Sequence, residues 1–230
     1  MKLFGLSLFL AASLAGAAMA QAPGLPTGSN YTQREFTDPN FANKLNGADA
    51  AGKSIRPSAN PLQQKEAGEL AAEAGIACTL TDAGVIMNAN RAGVRTVSYE
   101  IACKNDFGWI VTKTDKAITA YDCLALLTSA RAVKGRGPKL TTCRLAANIG
   151  SVAGLDALTQ KAGLSCKPSD GIYLGGGGDP AISRYEVACE YGGGYIIDAP
   201  QPRSKAKLQT LSCSEAKAAG LSCSLKSGKG

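Results

Sequence analysis

The sequence predicts an α+β fold of two tandem, disulfide-stapled repeats. In each repeat an amphipathic helix packs on a three- to four-stranded antiparallel sheet, and a short second helix follows. The stretch Tyr99–Cys103 (YEIAC) returns as Tyr185–Cys189 (YEVAC), and the sequences around it return as well. Because self-similarity at a fixed spacing indicates a repeated structural unit, we place the repeats at residues 60–146 and 147–230.

The start of the chain predicts a signal peptide over residues 1–20. A basic Met1-Lys2 end is followed by an apolar, alanine-rich run, and Ala18-Met19-Ala20 fits the small-x-small cleavage rule. The apolar run is shorter than the roughly 20 residues of a spanning helix, so we expect no transmembrane segment after signal removal. The expected location is the periplasm or the outside of a bacterial cell. Residues 21–59 show no periodicity and predict a flexible arm, either a spacer or a docking segment that orders on a partner.

The eight cysteines predict four disulfides, because an even cysteine count in an exported protein indicates a disulfide framework. No CxxC spacing and no histidine is present, so we expect no metal and no cofactor. Cysteines that face each other across a hairpin lie at equal distances from its turn, and the midpoints of two pairs fall in the turn-forming stretches 88–93 and 175–180. With the remaining cysteines paired by elimination, the predicted bridges are Cys78–Cys103, Cys166–Cys189, Cys123–Cys143 and Cys213–Cys223.

Each repeat is expected to begin with a helix. Asn60, Pro61 and Gln63 match a capping box with proline in the first turn. The second copy is expected to start at Ser151 and to end at Gly163. The residues predicted to face inward are Leu62, Ala67, Leu70, Ala71 and Ala74 in the first copy and Val152, Leu155, Leu158 and Ala162 in the second.

Strand alternation sorts the faces of the repeated stretch. Tyr99, Ile101 and Cys103 are expected to face the helix, whereas Glu100 and Ala102 are expected to face solvent, and the second copy follows the same rule. A third strand is expected to start at Trp109 in the first repeat and at Tyr195 in the second. The short second helices are expected at 124–131 and 214–219.

The residue types restrict the possible chemistry. Without histidine and with every cysteine bridged, no Ser-His-Asp or thiol nucleophile is available. Glu100 and Glu186 occupy equivalent positions and are conceivable as an acid and base pair, but solvent-facing strand glutamates are far commoner. An envelope-active enzyme that uses carboxylate or lysine chemistry is therefore the alternative hypothesis.

The charge pattern supports a binding function. Removal of residues 1–20 leaves 24 basic and 18 acidic residues. Basic residues gather in two acid-poor stretches near the predicted second helices, and we expect them to form a basic face or to be ordinary solvated side chains. The members are Arg131, Lys134, Arg136, Lys139 and Arg144 in the first stretch, and Arg203, Lys205, Lys207, Lys217, Lys226 and Lys229 in the second.

Trp109 and Tyr195, beside glycine-containing turns, are further candidate contact residues, although core packing is the favoured explanation for both. The leading hypothesis is a non-enzymatic exported binding protein whose unidentified partner is a protein or an anionic envelope component. Nucleic acid is not expected, because an exported protein with few aromatics among its basic residues lacks that signature.

Overall fold

The computed structural model describes residues 55–132 and 141–226 of the 230-residue chain. The predicted signal peptide, residues 21–54 of the predicted arm, and Lys134, Arg136, Lys139 and Lys229 lie outside the described residues. Within the described ranges the fold is α+β, with two four-stranded antiparallel sheets, few helices and four disulfides. No helix in these ranges is long and apolar enough to cross a membrane.

Both sheets are simple meanders, with strand orders β1-β2-β3-β4 and β5-β6-β7-β8. The elements of the first are α1 (Pro61–Glu73), β1 (Leu80–Arg91), β2 (Val94–Cys103), β3 (Trp109–Thr114), β4 (Ile118–Asp122) and α2 (Cys123–Ala132). A 3-10 turn (Ala146–Asn148) then leads to α3 (Leu155–Lys161), β5 (Pro168–Gly177), β6 (Ile182–Cys189), β7 (Gly194–Pro200), β8 (Gln209–Ser212) and α4 (Cys213–Ala218).

The two long hairpins carry irregularities at matching places. In the β1–β2 and β5–β6 ladders the pairing register shifts twice, and each shift in the second ladder lies 88 residues after one in the first. The shifts fall at Leu80/Asp82, Val85/Met87, Pro168/Asp170 and Tyr173/Gly175. A bulge changes the bend and twist of its strand, so the two hairpins are shaped alike.

The four predicted disulfides are all present: Cys78–Cys103, Cys123–Cys143, Cys166–Cys189 and Cys213–Cys223. The first and third join neighbouring strand ends across the long hairpins. The second and fourth begin at the first residue of α2 and of α4 and tie each helix to the chain that follows it. No described cysteine is free.

The predicted capping box of α1 is confirmed. Asn60 Oδ1 accepts a hydrogen bond from Gln63 N at 2.9 Å, and the Gln63 side chain accepts one from Asn60 N at 3.2 Å. Two inward predictions are wrong. Leu62 is 67% exposed because it precedes the turns of α1 that cover the sheet, and Val152 is 39% exposed because α3 begins only after Gly154.

The expected solvent face of the repeated stretch is also wrong. Glu100 and Glu186 are 0% and 1% exposed, and Ala102 is 1% exposed. In the first sheet the residues after Cys143 return across this face and cover it, and in the second sheet the residues after Cys223 do the same. Both faces of β2 from Ser98 to Ala102 and of β6 from Tyr185 to Cys189 are therefore buried.

Besides a smaller cluster of Ile86, Ile110 and Leu126, one main core joins the two sheets. Its buried members come from α1, both sheets and α3, and include Tyr99, Val111, Leu155, Tyr185 and Ile197. Residues 55–59, predicted to belong to the flexible arm, also pack on the fold. Arg56 is 8% exposed, and Ala59 N donates to Ala83 O at 2.6 Å along the outer edge of β1.

Candidate binding cleft

A cleft of about 270 Å³ opens between the first sheet with the end of α1 on one side and α3 with the second sheet on the other. Its apolar wall contains Phe107, Trp109, Leu158 and Tyr185, which come from the turn before β3, from the first residue of β3, from α3 and from β6. The chain between β7 and β8 closes the other side. The cleft therefore depends on segments far apart in sequence.

Close packing holds the aromatic wall in place. The ring centroids of Phe107 and Tyr185 lie 4.9 Å apart, and those of Tyr173 and Tyr185 lie 5.6 Å apart. Gly154 allows the chain before α3 to approach Phe107, because a Cβ atom there would lie 2.7 Å from Phe107 Cα. The two tilted ring pairs, Phe107 with Tyr185 and Tyr173 with Tyr185, are favourable aromatic contacts.

Trp109 is the only tryptophan of the chain and forms part of the cleft wall. It is 8% exposed, and its Nε1 atom is buried with no hydrogen-bond partner among the described residues. Buried indole N–H groups usually have a hydrogen-bond partner. Because the Trp109 N–H has none within the described ranges, packing alone holds the ring.

Charged side chains form the rim. Lys161 Nζ lies 3.2 Å from Asp106 Oδ2. On the opposite side the Arg203 guanidinium donates to the Glu73 carbonyl at the end of α1. Gly75 permits this approach, because a Cβ atom there would lie 2.4 Å from Arg203 Cγ.

The chain after Arg203 carries what we call the basic strip: Arg203, Lys205 and Lys207. All three are exposed, while the intervening Ser204 and Ala206 are half-buried. Lys205 and Lys207 form no ion pair with any described residue, and the sequence has no acidic residue between Asp198 and Glu215. The strip is therefore positive charge without local compensation, directly beside the cleft.

The buried carboxyl group of Asp122 does not line the cleft but contacts Tyr185 of its wall. Asp122 accepts hydrogen bonds from Ala125 N at 2.7 Å and from the Tyr185 hydroxyl at 3.1 Å. Burial raises the pKa of Asp122 to about 6, although these hydrogen bonds oppose the shift. Burial, with the nearby Asp122 charge, also raises the pKa of Tyr185 well above its ordinary value and that of Tyr173 to about 12.

Glu100 does not line the cleft. Its two carboxylate oxygens accept hydrogen bonds at 2.8–3.0 Å from Arg56 Nε, the backbone N–H groups of Arg144 and Leu145, and Asn148 Nδ2. Four donors fill the capacity of one carboxylate. Glu100 thus holds the segment after Cys143 against the sheet.

Glu186 does the same in the second half. Its oxygens accept from Ser224 N at 2.6 Å, from Ser224 Oγ at 2.9 Å and from Leu225 N at 2.6 Å. Each glutamate therefore binds the two residues that directly follow the last cysteine of its half. The Glu100 carboxylate has no acceptor position left for a substrate proton, which is what the acid and base hypothesis for this pair requires. The sulfurs of Cys123 and Cys143 lie near Glu100, but they are bonded to each other in a disulfide.

The predicted site residues are only partly brought together. Trp109 lies in the cleft, whereas Tyr195 is half-buried against the core and does not line the cleft. Arg131 is exposed at the end of α2, and Arg144 is half-buried with its backbone N–H on Glu100.

Sequence reasoning missed Phe107, Asp106, Leu158, Lys161 and Tyr185 as parts of one cleft. Tyr185 begins the second copy of the repeated stretch. Phe107 directly precedes Gly108-Trp109, which returns as Gly194-Tyr195. Those signals mark the residues as structural but do not show that they meet.

A second, more open depression of about 490 Å³ lies beside α1, β2 and β3. Two of its acidic residues have partners within the fold: Lys113 contacts Glu73 at 2.7 Å, and the Tyr99 hydroxyl donates to Glu66 at 2.7 Å. Burial and the Glu66 contact raise the pKa of Tyr99 to about 12. The lining of this depression contains four acidic and two basic side chains, so it does not extend the positive charge of the basic strip.

The sequence matches no protein-family model, and comparison with curated proteins and with solved structures finds no match either.

Proposed function

We propose that this chain is an exported, non-enzymatic binding protein that engages an anionic partner through the basic strip beside the cleft. The observation that carries the proposal is the pair Lys205 and Lys207, exposed on alternate residues and without an ion pair among the described residues. Unpaired charge of one sign attracts an oppositely charged partner over about one Debye length. Arg131 remains a candidate for a wider basic face.

We further propose that the binding surface arose by tandem duplication of one α+β unit. The support is the 88-residue spacing of the hairpin irregularities, the same strand order in both sheets, and the equivalent roles of Glu100 and Glu186. Four disulfides fit an oxidising location, and we place the protein in the periplasm or outside a bacterial cell.

Binding of fluorescently labelled poly-L-glutamate, followed by anisotropy, tests the proposal. The double substitution Lys205→Gln and Lys207→Gln should weaken binding about tenfold, since each lost charge contributes roughly 0.5–1 kcal/mol at the surface. The matched control is Lys65→Gln with Lys116→Gln, which removes the same charge from other exposed positions.

The affinity should also fall steeply between 50 and 300 mM salt. Equal weakening by the two double variants would show that only net charge matters and would contradict a role for the strip. No binding of poly-L-glutamate at 50 mM salt would contradict the proposal as a whole.

A further inference from the structure

We propose that the partner is an acidic polypeptide, and that the cleft receives one apolar side chain of it while its carboxylates lie along the basic strip. This inference rests on the proposed function, because it names the partner's chemistry at the same surface. It assigns the cleft a role of its own, which is to select among anionic partners.

The first support is the composition of the cleft. Its wall contains Phe107, Trp109, Leu158 and Tyr185, while Arg203 and the Lys161–Asp106 ion pair lie on the rim and the unpaired Lys205 and Lys207 follow Arg203. A purely polar polyanion has no group that gains by entering such a wall, whereas an apolar side chain gains by leaving water. An apolar wall next to uncompensated positive charge therefore matches an apolar residue flanked by acidic ones.

The second support is size. The cleft encloses about 270 Å³, just below the roughly 300–1,000 Å³ of sites for drug-sized ligands. One leucine or phenylalanine side chain suits this volume. A lipid acyl chain would extend well past it.

The third support is spacing. Arg203 lies in a turn with a positive φ of 65°, but from Lys205 through Lys207 to Gln209 exposed and half-buried residues alternate, which is typical of an extended chain. Alternate side chains of an extended chain lie about 6.6 Å apart on one face, which is also the spacing of alternate carboxylates in an extended peptide. An acidic peptide running beside the strip can therefore pair its charges in register.

Trp109 reports on the occupant directly, because it is the only tryptophan and lies in the wall. Three heptapeptides serve as probes: three glutamates, leucine and three glutamates; the same peptide with central glycine; and the leucine peptide with serines in place of the glutamates. The leucine acidic peptide should bind 10- to 100-fold more tightly than the glycine peptide, the factor expected for burial of one leucine side chain. It alone should shift the Trp109 emission to the blue.

Ala77→Phe supplies the blocking variant. Ala77 lines the cleft and is exposed, so a phenyl ring there fills the opening without entering the core. The variant should lose the preference for leucine over glycine and keep the affinity for the glycine peptide. The matched control, Ala72→Phe, places the same ring on an exposed position of α1 that does not line the cleft, and it should retain the preference.

The outcomes separate the two proposals. Equal binding of both acidic peptides with unchanged Trp109 emission would overturn the inference and leave the anionic partner standing. Tighter binding to vesicles of anionic lipid or to dextran sulfate than to the leucine acidic peptide would also overturn it. If neither acidic peptide binds, the proposed function fails as well, whatever the serine peptide does.

Discussion

The substitution Asp122→Asn should remove a specific pH dependence from the stability of the fold. Asp122 is 4% exposed, and its carboxylate accepts hydrogen bonds from Ala125 N and the Tyr185 hydroxyl. Burial raises its pKa from 3.8 to about 6, with a smaller contribution from the Asp106 charge. The folded state therefore holds a proton that the unfolded state has released between these two values.

The sign follows from proton linkage. Where the folded state binds more protons than the unfolded state, the free energy of unfolding falls as pH rises. This contribution is complete below pH 3.8, is lost as pH rises to about 6, and stays lost above that. A difference of about 2.2 between the two pKa values corresponds to about 3 kcal/mol.

Asparagine mimics the protonated carboxyl group. Its Oδ1 can still accept from Ala125 N, and its Nδ2 can donate to the Tyr185 oxygen. Relative to the native chain, the variant should become more stable by about 3 kcal/mol between pH 3.5 and pH 7.5. Urea unfolding followed by circular dichroism across this range, with disulfides intact, measures the difference.

The control is Asp156→Asn, which changes an exposed carboxylate in the first turn of α3. Because that group is not desolvated on folding, its difference curve should vary by less than about 1 kcal/mol. A flat difference curve for Asp122→Asn, or one that rises toward low pH, would refute the assignment of a raised pKa to Asp122.

Two further substitutions test the packing of the fold. Gly194→Ala should destabilise the protein by about 1–3 kcal/mol, because a Cβ atom there would lie 2.7 Å from Val187 O, whereas Gly193→Ala meets open space and should cost less than about 0.5 kcal/mol. Equal midpoints for the two in urea would contradict this close approach. Glu100→Gln should cost about 3 kcal/mol or more, because it leaves buried Arg56 without its counter-charge and turns an amide N–H toward buried donors. Exposed Glu69→Gln is the control, and a fully stable Glu100→Gln protein would show that these hydrogen bonds do not hold the fold.

Much of the fold could be predicted from local pattern. The α1 cap, the two long hairpins and the disulfides that cross them each follow from residue types at short spacing, such as Asn60 with Gln63 or the turn-forming stretch between Cys78 and Cys103, and the other two disulfides follow by elimination. These features depend on interactions within a few residues or across one hairpin. Leu62 and Val152 mark the limit, since helical periodicity alone does not show where a helix begins to cover its sheet.

The candidate site was much less predictable. The sequence marks Trp109 as a candidate but does not connect Phe107, Leu158 and Tyr185 with it, because these three come from the turn before β3, from α3 and from β6. Lys205 and Lys207 were recognised as basic, and only the structure placed them beside an apolar cleft. The periodicity of a sequence does not show which loops of two sheets will lie next to each other.

The sequence by itself determined the opposite faces of the repeated strand, the disulfide pairing and the duplication hypothesis, because these rest on local alternation, on hairpin midpoints and on internal repetition. Only the tertiary structure decided the environment of the repeated glutamates. Alternation places Glu100 and Glu186 correctly on the face opposite Tyr99 and Tyr185, but solvent exposure depends on what covers that face. The covering chains arrive from 44 and 38 residues away and bring the backbone N–H groups that make a buried carboxylate tolerable.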